Sequence, residues 1–571
     1  MEETSQLRNK IARKALSQWQ ALMADNVYLT NHSFQHSFEL YFLHDQELKK
    51  KLIEFGKQVA EDLLPLVAEN NYRLNLPRLE PYDGIGNRLD HIIHHPSYEA
   101  AGEIIYGADI LGQFAIPGNM LKSFALLYLS GHAGEAGHNC PLACSAGLVR
   151  VLQRYKVPNS EFFLNKLITP SYKNNFTGAQ FLTEIQGGSD VGQNAVLAYQ
   201  DKQGKWRIKG EKWFCSNANA DLILMTARYD EKVSGTKGLG LFLVPTKLEN
   251  GEHNYFTVRR LKEKIGTNSM ASGEIDFNEA IAYPVGELDK GFNIVMENVL
   301  HISRLFNTII MLGMVRYAYS IAYQYARHRE AFGKTINNYP LVIENLAQIK
   351  VENIAGLASI LATTKLQDIF DTCKTPQKQE ALLLRILANL NKYISALWGV
   401  NHIHHCIDVL AGNGAIESFS PLPRLFRDSI VCENWEGTHN TLRLQILRDI
   451  HKFAIDKVFI NHLQTQLDTL ADSPRKKQLT AAIILLNEQL DNLKNLSADL
   501  QALHIKTVVN QMSVIYLAVS LLIEALHQQL HTKKEYKLYY YDYFCLLHLQ
   551  NETLQYDKEY LHLITKIVNE D

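Results

Sequence analysis

The hydrophobic period of this chain changes twice, and these two changes limit the folds that it can adopt. Before residue 176 and after residue 290, apolar residues recur every three or four positions, as they do in amphipathic helices. Between these points the chain has short runs of strand-forming residues separated by turn residues, for example at 206–214 and 239–245. The pattern therefore predicts a mainly α-helical protein with a central β domain.

We predict four segments, which are an N-terminal helical domain at 1–175, a middle β domain at 176–290, a helical bundle at 291–450 and a C-terminal helical extension at 451–571. Within the third segment, the long periodic stretches at 296–329, 340–372 and 379–410 suit an antiparallel bundle. Proline and glycine cluster around 77–87, which indicates a loop. The aromatic-rich run at 536–544 is expected to pack against the bundle, with a binding patch as the alternative.

Charge, cysteine usage and the chain ends favour an ordinary cytoplasmic protein. The formal net charge is −2, so no global field favours nucleic acid or membrane. The 7 cysteines are dispersed, which favours a reducing compartment over a disulfide scaffold. The N-terminus begins acidic and lacks the apolar core of a signal peptide. The most apolar run, at 514–523, is too short to span a bilayer and is interpreted as a buried helix.

One carboxylate is placed for chemistry rather than for solubility. Glu436 lies between Trp435 and Gly437 in a mostly apolar stretch. Desolvation disfavours the charged form of a carboxyl group and raises its pKa towards neutrality. A base tuned in this way can remove a weakly acidic proton next to a carbonyl. A lone carboxylate is more often structural, so the surrounding motifs decide between the two interpretations.

Glu436 lies in the last of six short strings that follow one another along the chain. They are FLTEIQGGSD at 181–190, KWFCSN at 212–217, REAFG at 329–333, AGNG at 411–414, RLFRD at 424–428 and WEGT at 435–438. In this order and spacing they resemble the acyl-CoA dehydrogenase flavoprotein family over about residues 80–450. Three further strings are similar to the AidB-like branch of that family, as is the C-terminal extension. These are NRLDHIIHHP at 87–96, GHNCP at 137–141 and GTNSMASGEIDF at 266–277.

The resemblance implies a fold and a reaction. The fold would be an N-terminal α domain, a middle β-barrel or sandwich and a C-terminal four-helix bundle, followed by the helical extension. The cofactor would be FAD, and the substrate an acyl-CoA thioester. Glu436 would remove the α-proton while hydride passes from the β-carbon to flavin N5. The protein would be a homo-oligomer, because the family shares its cofactor between subunits, and an electron-transfer flavoprotein would accept the electrons.

The resemblance also implies which residues form the site. The residues expected to lie against the flavin or its phosphates are Phe181, Thr183, Gly188, Ser189, Phe214, Ser216, Thr438 and Asn440. The residues expected at a neighbouring subunit's FAD are Arg329, Phe332 and Gly412. Without these motifs, the strand residues among them would be interpreted as core.

Three alternative functions stay open from the sequence. The family usually has a Gln at Asp408, a Gly at Ala411 and, in some members, a substrate-contacting Arg at Gly273. The departures at Asp408 and Gly273 favour an acyl-CoA-binding regulator with little turnover, and an acyl-CoA oxidase is a further option. A DNA-binding flavoprotein is also open, although residues 451–571 hold 12 Lys and Arg against 14 Asp and Glu. No metal site is expected, because the His and Cys residues at 132–144 match no zinc spacing.

Overall fold

The computed structural model describes residues 2–23, 25–42, 45–550 and 558–569. The chain divides into two compact units. The helical unit contains Met1–Asp62, Gly131–Ala133 and Thr308–Asp571, and the mixed unit contains Leu63–Ser130 and Gly134–Asn307.

The described part of the chain is mainly helical, as predicted. Its helices are α1 (Glu2–Leu22), α2 (His32–Phe42), α3 (Gln46–Gln58), α4 (Leu64–Asn70), α5 (Pro96–Gly107), α6 (Ile110–Ala115), α7 (Met120–Ala133), α8 (Ala136–Arg154), α9 (Ser160–Ile168), α10 (Gly291–Ile294), α11 (His301–His328), α12 (Pro340–Thr372), α13 (Lys378–Leu410), α14 (Leu422–Asn434), α15 (His439–Phe453), α16 (Ile455–Asp468), α17 (Pro474–Lys494), α18 (Ala498–Thr532), α19 (Tyr536–His548) and α20 (Lys558–Asn569). Its strands are β1 (Arg78–Tyr82), β2 (Arg88–Ile93), β3 (Gly178–Phe181), β4 (Leu197–Gln200), β5 (Trp206–Ser216), β6 (Leu222–Arg228), β7 (Leu239–Pro245), β8 (Phe256–Leu261), β9 (Ser272–Pro284), β10 (Glu330–Ala331) and β11 (Lys334–Thr335).

The mixed unit is built around a seven-stranded sheet in the order β3-β6-β4-β5-β9-β7, with β8 paired to β9. Because β7 also pairs with β6, the middle strands close into a barrel. Alternating side chains of these strands fill its interior, among them Phe181, Ile208, Met225 and Phe242. The middle β domain expected from the sequence is therefore confirmed.

The same unit also corrects one local prediction. The stretch predicted as a loop at 77–87 is in part a hairpin, because β1 pairs antiparallel with β2. The turn between the strands is closed by Asp83, whose carboxylate accepts hydrogen bonds from the backbone N–H groups of Ile85 and Asn87. Gly86 has a φ of +87°, which glycine adopts without steric cost. The proline and glycine signal marks this turn rather than the whole stretch.

The helical unit places three long helices, α11, α12 and α13, close to where the periodicity predicts them. At the start of α13, the Glu380 carboxylate accepts a hydrogen bond of 2.9 Å from the backbone N–H of the N-cap residue Gln377, which is one of the two bonds of a capping box. The extension packs on the bundle, since Thr363 Oγ1 of α12 lies 2.8 Å from Tyr516 Oη of α18. The aromatic run in α19 is buried, including Tyr540 and Phe544, so packing is the correct interpretation of it.

Two helical stretches, Leu288–His328 and Ala498–Thr532, are long and apolar enough to cross a membrane by length and composition alone. Both are mostly buried inside the protein, as core helices of soluble proteins also are. The second stretch contains the buried helix predicted at 514–523.

A buried carboxylate joins the extension to the bundle and makes stability depend on pH. Glu352 of α12 accepts hydrogen bonds from His402 Nε2 of α13 and, at 2.9 Å, from His548 Nε2 of α19. Burial alone would raise the pKa of Glu352, but the hydrogen bonds and charges of the two histidines outweigh burial and lower this pKa to about 2.

Since the pKa of Glu352 is lower in the folded protein than its ordinary value of 4.5, its stabilising effect is complete above that value. It is lost as the pH falls from there towards 2. We expect the free energy of unfolding to lose about 2 kcal/mol from this residue between about pH 5 and pH 3. Urea unfolding of wild type and Glu352→Gln across this range measures the loss. Equal slopes against pH in the two proteins would contradict the assignment.

Candidate functional site

Glu436 lies in the short loop between α14 and α15 and is half-buried. Its φ is +60°, in the left-handed region that a residue with a side chain seldom adopts. Gly437 follows with a φ of +107°. The positive φ of Glu436 costs energy that the surroundings must offset, whereas glycine adopts such a φ freely, and strain of this kind is concentrated at functional sites.

The ends of this loop are held by a buried lysine. Lys392 of α13 donates from Nζ to the carbonyl oxygens of Glu433, at 2.9 Å, and Gly437, at 2.7 Å. The loop is also bridged by His439, whose Nε2 contacts the Glu433 carboxylate. Burial lowers the pKa of His439 in spite of that carboxylate. The carbonyls on both sides of Glu436 are therefore fixed to one helix.

The two residues predicted on the flavin side of the loop are exposed. Thr438 is the N-cap of α15, and its hydroxyl accepts a hydrogen bond from the backbone N–H of Thr441. The Asn440 side-chain oxygen accepts a hydrogen bond of 2.8 Å from Arg443 Nη1. Both side chains thus lie within four residues of Glu436 and can contact a ligand.

In the mixed unit, the FLTEIQGGSD string folds around a buried ion pair. Lys212 Nζ lies 2.7 Å from the Glu184 carboxylate, which also accepts a hydrogen bond from the backbone N–H of Ala195. Thr183, next to this pair, is half-buried, and a Cβ added at Gly188 would lie 3.3 Å from Thr183 Cγ2. The pair therefore fixes a turn on which the Thr183 hydroxyl and the backbone of Gly188 are close together.

The remaining residues of the string differ in exposure. Phe181 ends β3 and is fully buried in the barrel core, so its side chain packs with the core and only its backbone can face a ligand. Ser189 is exposed.

The strand β5 presents the predicted Phe214 and Ser216. A β-bulge interrupts its pairing with β9 between Lys212 and Cys215, and bulges often re-aim side chains beside active sites. The Phe214 side chain is 40% exposed, and Lys262 Nζ lies 5.6 Å from its ring centre. Ser216 is half-buried. An exposed aromatic ring on a barrel strand is a surface on which a planar ligand can stack.

The REAFG string forms a hairpin of β10 and β11, with Phe332 and Gly333 in its turn. The side chain of Phe332 is 98% exposed. Tyr339 Oη donates to the carbonyl oxygens of Ala331, at 2.8 Å, and Phe332, at 3.2 Å, so the tip is braced. Arg329, at the start of the hairpin, is also exposed.

The AGNG string forms a 3-10 turn after α13, and its Gly412 is exposed with no atom within 4 Å of an added Cβ. Ala411 has a φ of +52°, so it adopts a conformation suited to the glycine that the family usually has there. Asn413 Nδ2 donates to Tyr325 Oη at 3.0 Å, one turn of α11 before Arg329. The REAFG and AGNG strings, which are the two predicted to contact a neighbour's cofactor, are therefore close together.

Three family models match this chain in succession. The AidB N-terminal domain matches residues 17–174, the acyl-CoA dehydrogenase middle domain matches 179–280 and the acyl-CoA dehydrogenase C-terminal domain matches 289–451. The chain belongs to the acyl-CoA dehydrogenase family. This confirms the family, its AidB-like branch and the fold class predicted from the sequence. It also confirms a flavin-dependent oxidoreductase with FAD as its cofactor.

Relatives and solved structures agree with this membership. The chain is 30% identical to acyl-CoA dehydrogenase family member 11 of Caenorhabditis elegans over 70% of its own length and 66% of the relative's. It is 28% identical to AidB of Escherichia coli (strain K12) over 67% of its own length and 70% of the relative's. The solved structure of C. elegans ACDH-11 in complex with C11-CoA has a TM-score of 0.83, with 25% identity and 94% coverage of both chains.

One position in this acyl-CoA dehydrogenase family member explains a departure noted in the sequence. Gly273 is buried, and an added Cβ would lie 3.2 Å from Ala218 Cβ and 3.3 Å from Val258 Cγ1. A larger side chain at this position would require these neighbours to move by a few tenths of an ångström. Any substrate contact that other members make from this position must come from another residue.

Sequence reasoning missed the buried polar residues that support the site, namely Lys392, Lys212 and Glu184. It considered the His and Cys residues at 132–144 only as metal ligands, and it predicted no metal site there. His132 packs at 4.7 Å against the Tyr317 ring. His138 packs at 4.0 Å against the Tyr98 ring. Among the described residues, no group of three His, Cys, Asp or Glu side chains could hold a metal ion.

Proposed function

We propose that this protein oxidises an acyl-CoA thioester between its α- and β-carbons, with Glu436 as the base that removes the α-proton. The observation that supports this most is the anchored, strained loop that presents Glu436. A base must be held within hydrogen-bond reach of the proton that it removes, and strain in a non-glycine residue indicates a constraint from function. The half-buried position also keeps part of the carboxylate away from water.

The residues around the predicted flavin positions fit FAD in chemical type. Arg329 is an exposed guanidinium that suits a pyrophosphate, and Gly412 has open space above its backbone. The exposed ring of Phe214 suits the face of a flavin, while Thr183 offers a hydroxyl to its edge. When bound, FAD supplies the acceptor for the β-hydride. We assign these residues to cofactor binding and Glu436 to proton transfer.

In this reaction the backbone N–H of Glu436 would donate a hydrogen bond to the thioester carbonyl, which stabilises the charge that develops on its oxygen. The same stabilisation makes the α-proton more acidic for the carboxylate of that residue. We propose acyl-CoA as the substrate class because a structural relative was solved with C11-CoA. An electron-transfer flavoprotein is the proposed electron acceptor.

The test is an anaerobic titration of the purified flavoprotein with acyl-CoAs of graded chain length. Bleaching of the oxidised-flavin absorbance by one length class would support dehydrogenation and define the substrate class. A spectrum that shifts but does not bleach would favour an acyl-CoA-binding protein with little turnover. The buried Gly273, which supplies no substrate-contacting side chain and is crowded by Ala218 and Val258, is the observation that favours this second candidate.

We also propose a homo-oligomer whose interface includes the hairpin tip. We expect Phe332→Ala to weaken self-association about 10- to 100-fold, because burying a phenylalanine side chain contributes about 1.5 to 3 kcal/mol. Sedimentation velocity over a range of concentrations measures this change. Leu530→Ala is the matched control. Leu530 is 77% exposed on α18, and its replacement removes an apolar group of similar size. If Phe332→Ala self-associated as strongly as the wild type, the interface would have to lie elsewhere.

A further inference from the structure

We propose that Lys392 is a positioning residue that holds the Glu436 loop in the conformation needed for α-proton removal. The inference rests on the proposed function, because it assigns Lys392 a role in the same step. Lys392 is fully buried in α13, and its ammonium group donates to a carbonyl on each side of Glu436. The lysine reaches the loop through backbone atoms, so it can set the loop's shape without contacting the substrate.

The first of these carbonyls belongs to the last turn of α14. The final carbonyl groups of a helix have no partner within the helix, and a cation placed there satisfies them and interacts favourably with the helix dipole. The carbonyl of Glu433 accepts from Lys392 in this way. The ammonium group thereby fixes the point at which the chain leaves α14 and enters the loop.

The second carbonyl belongs to Gly437, directly after the base. Glu436 and Gly437 both have positive φ values, and a non-glycine residue in this region costs on the order of 1 to 3 kcal/mol. A charge-assisted hydrogen bond contributes an amount of similar size. The 2.7 Å bond from Lys392 to the carbonyl of Gly437 can therefore offset the strain at Glu436.

The neighbouring residue on α13 supports the far side of the same loop. Tyr393 Oη accepts a hydrogen bond from Arg443 and donates one to Asn510 of α18. Its ring packs edge-on against the His439 ring, with 5.3 Å between ring centres. Two adjacent residues of one buried helix thus hold the loop and the start of α15. Of these two residues, Lys392 is the one that bonds directly to a carbonyl on each side of the base.

The test replaces Lys392 with methionine, which has a similar length and no N–H donors. We expect Lys392→Met to lower the rate of flavin reduction by saturating acyl-CoA about 10- to 100-fold, since a small misplacement of a catalytic group has effects of this size. The KM for the acyl-CoA should change less than about threefold, because the displaced loop contacts the substrate through the base and one backbone N–H, whose bond to the thioester oxygen strengthens mainly in the transition state. The FAD content should stay at the wild-type level.

The matched control is Lys350→Met. Lys350 is also a buried lysine of the bundle, and its Nζ donates at 2.8 Å to the backbone carbonyl of Ile567. Its replacement should lower the unfolding temperature by a similar amount but leave the reduction rate within about twofold. Should Lys392→Met fail to fold, Lys392→Gln keeps one amide donor and is measured in its place, with a smaller loss expected.

A second measurement does not depend on turnover. Amide hydrogen exchange by mass spectrometry should be faster at 434–441 in Lys392→Met than in wild type, and unchanged there in Lys350→Met. Normal reduction by Lys392→Met, while Glu436→Gln is inactive, would overturn the positioning role and leave the proposed function intact. If the wild type reduces its flavin with no acyl-CoA, the proposed function fails. The exchange data then decide the anchoring role alone, and equal exchange in the two lysine variants overturns it.

Discussion

We expect Glu436→Gln to bind FAD like the wild type and to lose flavin reduction by acyl-CoA almost completely. Glutamine is close in size to glutamate and can still accept hydrogen bonds, but it cannot take up a proton from the α-carbon. Removal of a positioned general base typically lowers a rate by about 10² to 10⁴-fold. Stopped-flow absorbance at the oxidised-flavin band, with saturating substrate and without oxygen, measures the reduction step itself.

The control for this variant is Glu344→Gln. Glu344 is a half-buried carboxylate on α12 that accepts a hydrogen bond from Tyr560 of α20, and an amide oxygen can keep that bond. We expect Glu344→Gln to reduce its flavin at the wild-type rate. If Glu436→Gln also reduced its flavin normally, the base would have to be another residue, and the strain at Glu436 would need a structural explanation.

The pH dependence of reduction gives a further check on the same assignment. A carboxylate base must be ionised, so the reduction rate should fall on the acidic side as the base becomes protonated. This acidic limb should be missing from the residual activity of Glu436→Gln. A limb of equal size in the variant would show that another group titrates.

The fold could be predicted well from the sequence because its strongest signals are local. Helix periodicity locates α12 and α13 within one residue of their ends, since both are long and bounded by clear breaks. The strand β5 extends to Ser216, two residues beyond the predicted run, because its pairing with β9 continues past the bulge. The hairpin at 78–93 was missed because its strands are short and polar and show little hydrophobic alternation.

The candidate site could be predicted only in part. The motifs around Glu436 identify which residue types are present, but the positive φ of Glu436 and the lysine that anchors its loop are long-range properties. Lys392 is 45 positions from Gly437 in the sequence, and no local pattern connects the two. It is one of five charged residues in α13, and a lysine on a helix is usually solvated. Its burial becomes clear only when α14 and the loop are packed against it.

Lys212 is a case in which the sequence did contain a usable signal. Side chains alternate between the two faces of a strand, and Ile208 of β5 lies in the barrel core. Side chains two positions apart lie on the same face of a strand, so residues 208, 210 and 212 share one face. The alternation therefore predicts that Lys212 points inward with Ile208. An inward lysine in a buried strand requires a carboxylate partner. Glu184, in the string predicted to approach the flavin, is that partner.

We expect Lys212→Met to lower the free energy of unfolding strongly and also to weaken the binding of FAD. The Lys212 and Glu184 side chains are both buried, and their charges lie 2.7 Å apart. Loss of one partner leaves an uncompensated buried charge, which typically costs about 3 to 5 kcal/mol. Lys212 Nζ also donates at 3.3 Å to the carbonyl of Leu182, beside the predicted flavin contacts. Chemical unfolding of the FAD-free protein and an FAD titration measure the two effects separately.

The double variant Lys212→Met/Glu184→Gln separates the charge from the packing. It removes both charges and keeps an amide oxygen for the backbone N–H groups of Ala195 and Val196, which bond to Glu184 in the wild type. Replacing a buried ion pair with neutral groups is often close to neutral in stability. We therefore expect the double variant to recover most of the stability that Lys212→Met loses. If it were as unstable as the single variant, the cost would come from lost packing in the barrel core rather than from a buried charge.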